Sequence, residues 1–127
     1  MHIDTLKTLA TDALEELKAR DVTALDVAKL TNVTDVMLIA SGTSTRHVAA
    51  IAQNVVEKAK AQGLHPHGVE GGGNADWVLV DLGDIIVHVM LPEARELYDL
   101  ERLWADLPAE GGVEQLRERL EEQVGSR

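Results

Sequence analysis

The sequence contains no cysteine and no phenylalanine, and its aromatic residues are Trp77, Tyr98 and Trp104. Without cysteine there are no disulfides, no thiolate nucleophile and no cysteine-ligated zinc or iron–sulfur centre. So few aromatic rings remove the stacking platforms on which single-strand nucleic-acid binders rely. Positive charge is scarce as well. Twelve Lys and Arg against 22 Asp and Glu leave a net charge of −10, which repels phosphate backbones and anionic lipid. Neither direct nucleic-acid binding nor membrane binding is expected, and a basic protein partner suits this charge better. No apolar run approaches the ~20 residues that span a bilayer. Residues 1–20 carry Asp4, Asp12, Glu15 and Glu16, unlike a basic secretory leader or an acid-poor transit peptide, so a cytoplasmic protein is expected.

What is present fits one compact domain: 127 residues, 45% hydrophobic and 27% charged. Ile3, Leu6, Ala10, Ala13, Leu14 and Leu17 recur at helical spacing and predict a helix over 3–20. Residues 22–27 are β-prone, and the apolar run 35–40 predicts an interior strand. From Ser44 the period is helical again, with Val48, Ile51, Ala52, Val55, Val56 and Ala59 on one side, and Gly63 marks the stop. Residues 64–70 read as an edge strand because Pro66 cannot donate to a ladder. Pro92 ends a strand and begins a helix over 93–104, with Leu97, Leu100 and Trp104 on one face. Beyond the Pro108 and Gly111-Gly112 break, Val113, Leu116, Leu120 and Val124 outline a last, acidic helix.

The clearest local feature is a hairpin. Strands 77–82 and 85–91 flank Gly83-Asp84, the residue types of a two-residue mirror-image turn. Pairing Leu82 with Ile85 sets Val80 opposite Val87 and Val78 opposite Val89 on one face. The other face pairs Asp81 with Ile86, Leu79 with His88 and Trp77 with Met90. The first face is aliphatic and suits a core. The second mixes apolar bulk with Asp81 and His88, and two one-striped helices can cover the first face without touching it. The mixed face is therefore expected to be an exposed docking patch anchored by Trp77. The competing expectation is that the third or the C-terminal helix packs there.

This hairpin and the helical segment after it resemble the ribosomal silencing factor family, also called Iojap-related. The residues that carry the resemblance are 76–90, reading Asp-Trp-Val-Leu-Val-Asp-Leu-Gly-Asp-Ile-Ile-Val-His-Val-Met, then Arg95, Tyr98, Leu100-Glu101 and Leu103-Trp104. Leu25-Asp26-Val27, Thr34-Asp35, Ser41-Gly42-Thr43-Ser44 and Glu70-Gly71 match upstream, so that the likeness runs over about residues 3–105. The resemblance implies an α/β fold, a small mixed sheet with helices mainly on one face and nucleotidyltransferase-like topology. It implies a non-enzymatic translational repressor that binds large-subunit ribosomal protein number fourteen and sterically blocks small-subunit joining, with a related role in large-subunit biogenesis. The family's partner face falls on Trp77, Leu79, Asp81, His88, Met90 and Tyr98, with Glu70, Asp76 and Arg95 at its rim. Residues 1–105 form the expected domain and 106–127 an acidic helical extension. Trp77→Ala is expected to weaken large-subunit binding by about 2 kcal/mol while leaving the fold intact.

The chief alternative is a nucleotide-binding transferase, since Ser41-Gly42-Thr43-Ser44 follows a strand and opens a helix. A hydroxyl there serves equally as a helix N-cap, and the segment after it has no paired carboxylates for a metal. His65 and His67 share a strand face but lack a third ligand, so no metal and no cofactor is expected. Asp81 and Asp84 read as hairpin residues, Asp26 and Asp35 as turn residues and His47 as a solvated one. His88 faces Leu79 rather than a nucleophile, which makes it a packing or recognition histidine. An isologous homodimer is a further use for an exposed sheet face or edge.

Overall fold

The computed structural model describes residues 2–28, 34–71 and 74–98. Its elements are helix α1 (Ile3–Glu16), strands β1 (Arg20–Asp26) and β2 (Val36–Ser41), helix α2 (Thr45–Ala61), strands β3 (Gly68–Glu70), β4 (Trp77–Asp81) and β5 (Ile85–Met90), and helix α3 (Pro92–Tyr98). The five strands form one mixed sheet in the order β1-β2-β5-β4-β3. Only β2 and β5 run parallel; every other pair is antiparallel. Strands β1 and β3 are the edges; β3 holds an edge position as expected for residues 64–70, but it begins at Gly68 and leaves Pro66 before the strand.

Helix boundaries are set by their end groups. Ser44 caps α2, its hydroxyl accepting from the His47 amide at 3.1 Å. Gly63 ends it at φ +81, with its own amide donating to Lys60 and that of Leu64 reaching back to Ala59. The first helix stops at Glu16, four residues short of the end expected from its periodicity. The same paired-amide closure ends it, Lys18 donating to Glu15 and Ala19 to Leu14, but here Lys18 takes the left-handed conformation at φ 62.

The hairpin register is the one that turn chemistry predicts, from Trp77 opposite Met90 to Asp81 opposite Ile86. Gly83 supplies φ +89 in the turn, where a side chain is disfavoured. The aliphatic face, bearing Val78, Val80, Leu82, Ile85, Val87 and Val89, is buried with Leu6, Ala10 and Leu14 of α1 and Val48, Ile51 and Val55 of α2. Gly42 lets the chain turn from β2 into α2. A Cβ there would lie 2.8 Å from Val48 Cγ2 and 2.9 Å from the Val48 amide nitrogen. His47 is half-buried and structural rather than solvated. Its Nδ1 accepts from the Thr43 amide at 2.9 Å, so Nε2 carries the proton and donates to the Leu17 carbonyl at 2.7 Å. That bond ties the start of α2 to the end of α1.

Candidate functional site

Ladder register gathers the other sheet face residue by residue. One row across the five strands runs Thr23, Ile39, His88, Leu79 and Glu70; the next runs Leu25, Met37, Ile86, Asp81 and Gly68. A third contains Arg20, Ser41, Met90 and Trp77. Residues aligned in this way share a face, so Trp77, Leu79, Asp81, His88, Met90 and Glu70 converge on one surface of the sheet. Asp76 immediately precedes β4, and its carbonyl accepts from the Leu91 amide at 2.9 Å. Arg95 comes from α3, which also ends at Tyr98, whose side chain lies outside the described residues.

The surface is a second core, and this overturns the expected exposed patch. Trp77, Leu79, His88 and Met90 are 0% exposed and Asp81 is 7% exposed. Trp77, Leu79 and Met90 pack with Val27, Met37, Ile39, Ile86 and Ala94 of α3, so the third helix lies on this face, in line with the competing expectation. Leu97, which the helical spacing sets on one face with Leu100 and Trp104, is 76% exposed. The rest of the predicted helix, Leu100 and Trp104 included, and the whole of 106–127 fall outside the described residues.

Polarity on the mixed face argues for exposure, but its polar groups are satisfied internally. The Trp77 indole N–H donates to His88 Nδ1 at 2.9 Å, with the two rings tilted at 43° and 5.7 Å apart. An Nδ1 that accepts fixes the proton on Nε2, which faces Met37 Sδ at 2.6 Å. The imidazole thus serves as a buried linker between the two flanking strands β2 and β4. Asp81 Oδ1 accepts from the Gly83 amide at 2.9 Å, closing the hairpin turn in the role expected of it. Asp26 likewise holds its own turn, accepting from the Ala28 amide at 3.2 Å.

Arg95 is engaged inward. Its Nη1 donates to the Asp21 carbonyl at 2.6 Å and to Ser41 Oγ at 3.1 Å, and its Nη2 donates to Thr23 Oγ1 at 2.9 Å. The three acceptors lie where β1 is irregular: Asp21 sits at φ 52, and the ladder to β2 shifts register between Arg20 and Thr23. Nothing in the sequence pattern signals this clamp, because its partners lie 54 to 74 residues away.

The groups considered for chemistry are used structurally. The Thr43 amide and hydroxyl engage His47 Nδ1, and the Ser44 hydroxyl accepts from the His47 amide as a helix N-cap. His65 and His67 are exposed, and among the described residues no group of three or more His, Asp or Glu is placed to hold a metal ion. No helix among the described residues is long and apolar enough to cross a membrane.

Fold and site together define a small α/β domain with a mixed sheet cored on both faces, the second core collecting the hairpin residues beside α3. The family model for the ribosomal silencing factor during starvation matches residues 1–126. The chain is 46% identical over 104 residues to the ribosomal silencing factor of Chromobacterium violaceum, covering 82% of this chain and 85% of that protein. It is 39% identical over 108 residues to the Bacillus subtilis ribosomal silencing factor, covering 85% and 92%. A mouse protein named for mitochondrial assembly of the ribosomal large subunit is 39% identical over 105 residues, 80% of this chain and 44% of that one. A crystal structure of a Chromobacterium violaceum protein superposes with a TM-score of 0.81 at 45% identity, covering 84% of this chain and 89% of that one. One from Bacillus halodurans gives 0.73 at 40% identity, covering 80% and 94%. The chain belongs to the ribosomal silencing factor family, whose members are ribosome-associated regulators of translation.

Proposed function

We propose that this protein represses translation in the cytoplasm by docking on the large ribosomal subunit through ribosomal protein number fourteen, so that the small subunit is sterically kept from joining. The observation that carries this reading is the family match over residues 1–126, supported by identity to bacterial silencing factors along most of both chains. The name of the mouse relative supports a second role in large-subunit assembly. A net charge of −10 favours a basic ribosomal protein over the surrounding RNA, and it raises the rate of encounter more than the final affinity.

The docking region is the α3 side of the sheet, and burial divides the roles of its residues. Trp77, Leu79, His88 and Met90 form a rigid floor. Glu70, Asp76 and Arg95, each partly exposed, stand at its margin together with the α3 segment that ends at Tyr98. The chemistry asked of the protein is occlusion, which requires a firm, well-ordered surface and no reacting group. In the absence of ribosomes the chain is proposed to self-associate as a homodimer, which sedimentation velocity would read directly.

Pelleting through a sucrose cushion with isolated large subunits tests the reading. The protein is expected to pellet with large subunits and to stay in the supernatant with small subunits alone. Equal recovery with both, or with neither, contradicts it.

A further inference from the structure

We infer that Arg95 is a positioning residue: it locks α3 onto the irregular end of β1, and thereby sets the orientation in which the docking region is presented. The inference rests on the docking reading above and adds how the surface is held. Arg95 stands three residues into α3, close to where the helix leaves β5, so what it bonds bears on the direction the helix takes. Among the described side chains of α3, Ala94 is the one buried in the second core, and Leu97 is exposed.

Arg95, the residue after Ala94, ties the helix to the sheet directionally. The guanidinium reaches the far edge of the sheet and, among the described residues, meets three acceptors of different origin, a backbone carbonyl on β1 and hydroxyls on β1 and β2. Thr23 Oγ1 also lies 3.4 Å from the Asp21 carbonyl, so the two β1 acceptors are coupled to each other. The left-handed backbone at Asp21 and the register shift after Arg20 break the regular ladder here, at the carbonyl that Arg95 takes. A planar fork of fixed geometry at three points fixes direction as well as distance; an ammonium on a flexible stem cannot.

Two kinds of variant separate positioning from direct contact. Arg95→Lys removes the fork, whereas Thr23→Val and Ser41→Ala remove its acceptors on strands β1 and β2 and leave Arg95 itself in place. Affinity for isolated large subunits is measured by pelleting, and hydrogen exchange of the amides of residues 95–98 is monitored in the free protein. Positioning predicts that Arg95→Lys and Thr23→Val each weaken binding by about tenfold, the scale of a lost charge-assisted hydrogen bond, and that the double variant loses little more than either alone. Both are expected to speed exchange in α3 while exchange in β4 and β5 keeps the wild-type pattern. Weaker binding for Arg95→Lys with wild-type binding for Thr23→Val and Ser41→Ala would assign Arg95 to direct contact and overturn the inference. Unchanged α3 exchange in all three variants would overturn it too. If the wild-type protein failed to pellet with large subunits, the docking reading would fall, and the clamp would stand or fall on exchange alone.

Discussion

Trp77 shows how far a single residue's role depends on what its polar atom meets. Strand alternation correctly separates it, with His88 and Asp81, from the aliphatic face, yet the inference from polarity to exposure fails here. His88 closes a buried path from the indole N–H to Met37, and Asp81 turns to its own hairpin amide, so neither needs water. Composition of a strand face shows that polar groups are present, but not that they are paired with each other. The consequence for mutation is direct. Trp77→Ala cannot leave the fold intact as a surface substitution would; emptying a fully buried indole site is expected to cost about 3–5 kcal/mol in urea unfolding. His88→Leu preserves bulk but removes the acceptor of the indole N–H, and is expected to cost about 1–3 kcal/mol in the same measurement. Losses under about 0.5 kcal/mol for both, the range of ordinary surface changes, would mean that the second core is not packed as described.

Elements were legible where a residue type announces their geometry. The Gly83 turn fixed the register of β4 and β5, Ser44 marked the start of α2, and Gly63 marked its end. The end of α1 was not legible, because Lys18 takes the left-handed position that glycine takes after α2. The two helix ends therefore predict opposite responses to substitution. Lys18→Gly relieves a side chain held at φ 62 and is expected to stabilise the protein by up to about 1 kcal/mol. Gly63→Ala places one at φ +81 and is expected to destabilise it by about 1 kcal/mol. Chemical denaturation of the pair checks both signs, and changes of the same sign would contradict the shared closure. Helix α3 was legible in its start at Pro92 but not in its seat. That seat depends on Arg95 reaching residues on β1 and β2, a long-range contact which no local period encodes.

At the scale of the molecule, the sheet is committed on both sides. Helices α1 and α2 cover the aliphatic face, and α3 lies on the face that carries the hairpin's Trp and His. What the ribosome would meet is thus a surface supported by a buried floor, on a protein of strong net negative charge. This suits a protein that acts by occupying space, since a deformable plug would yield to an arriving subunit. Light scattering during the mixing of purified small and large subunits tests that claim most directly. Preloading the large subunits with this protein is expected to reduce the amplitude of subunit joining in proportion to the fraction occupied, whereas preloading the small subunits alone leaves no more effect than free protein does. Full joining amplitude on large subunits shown by pelleting to be saturated would contradict the account.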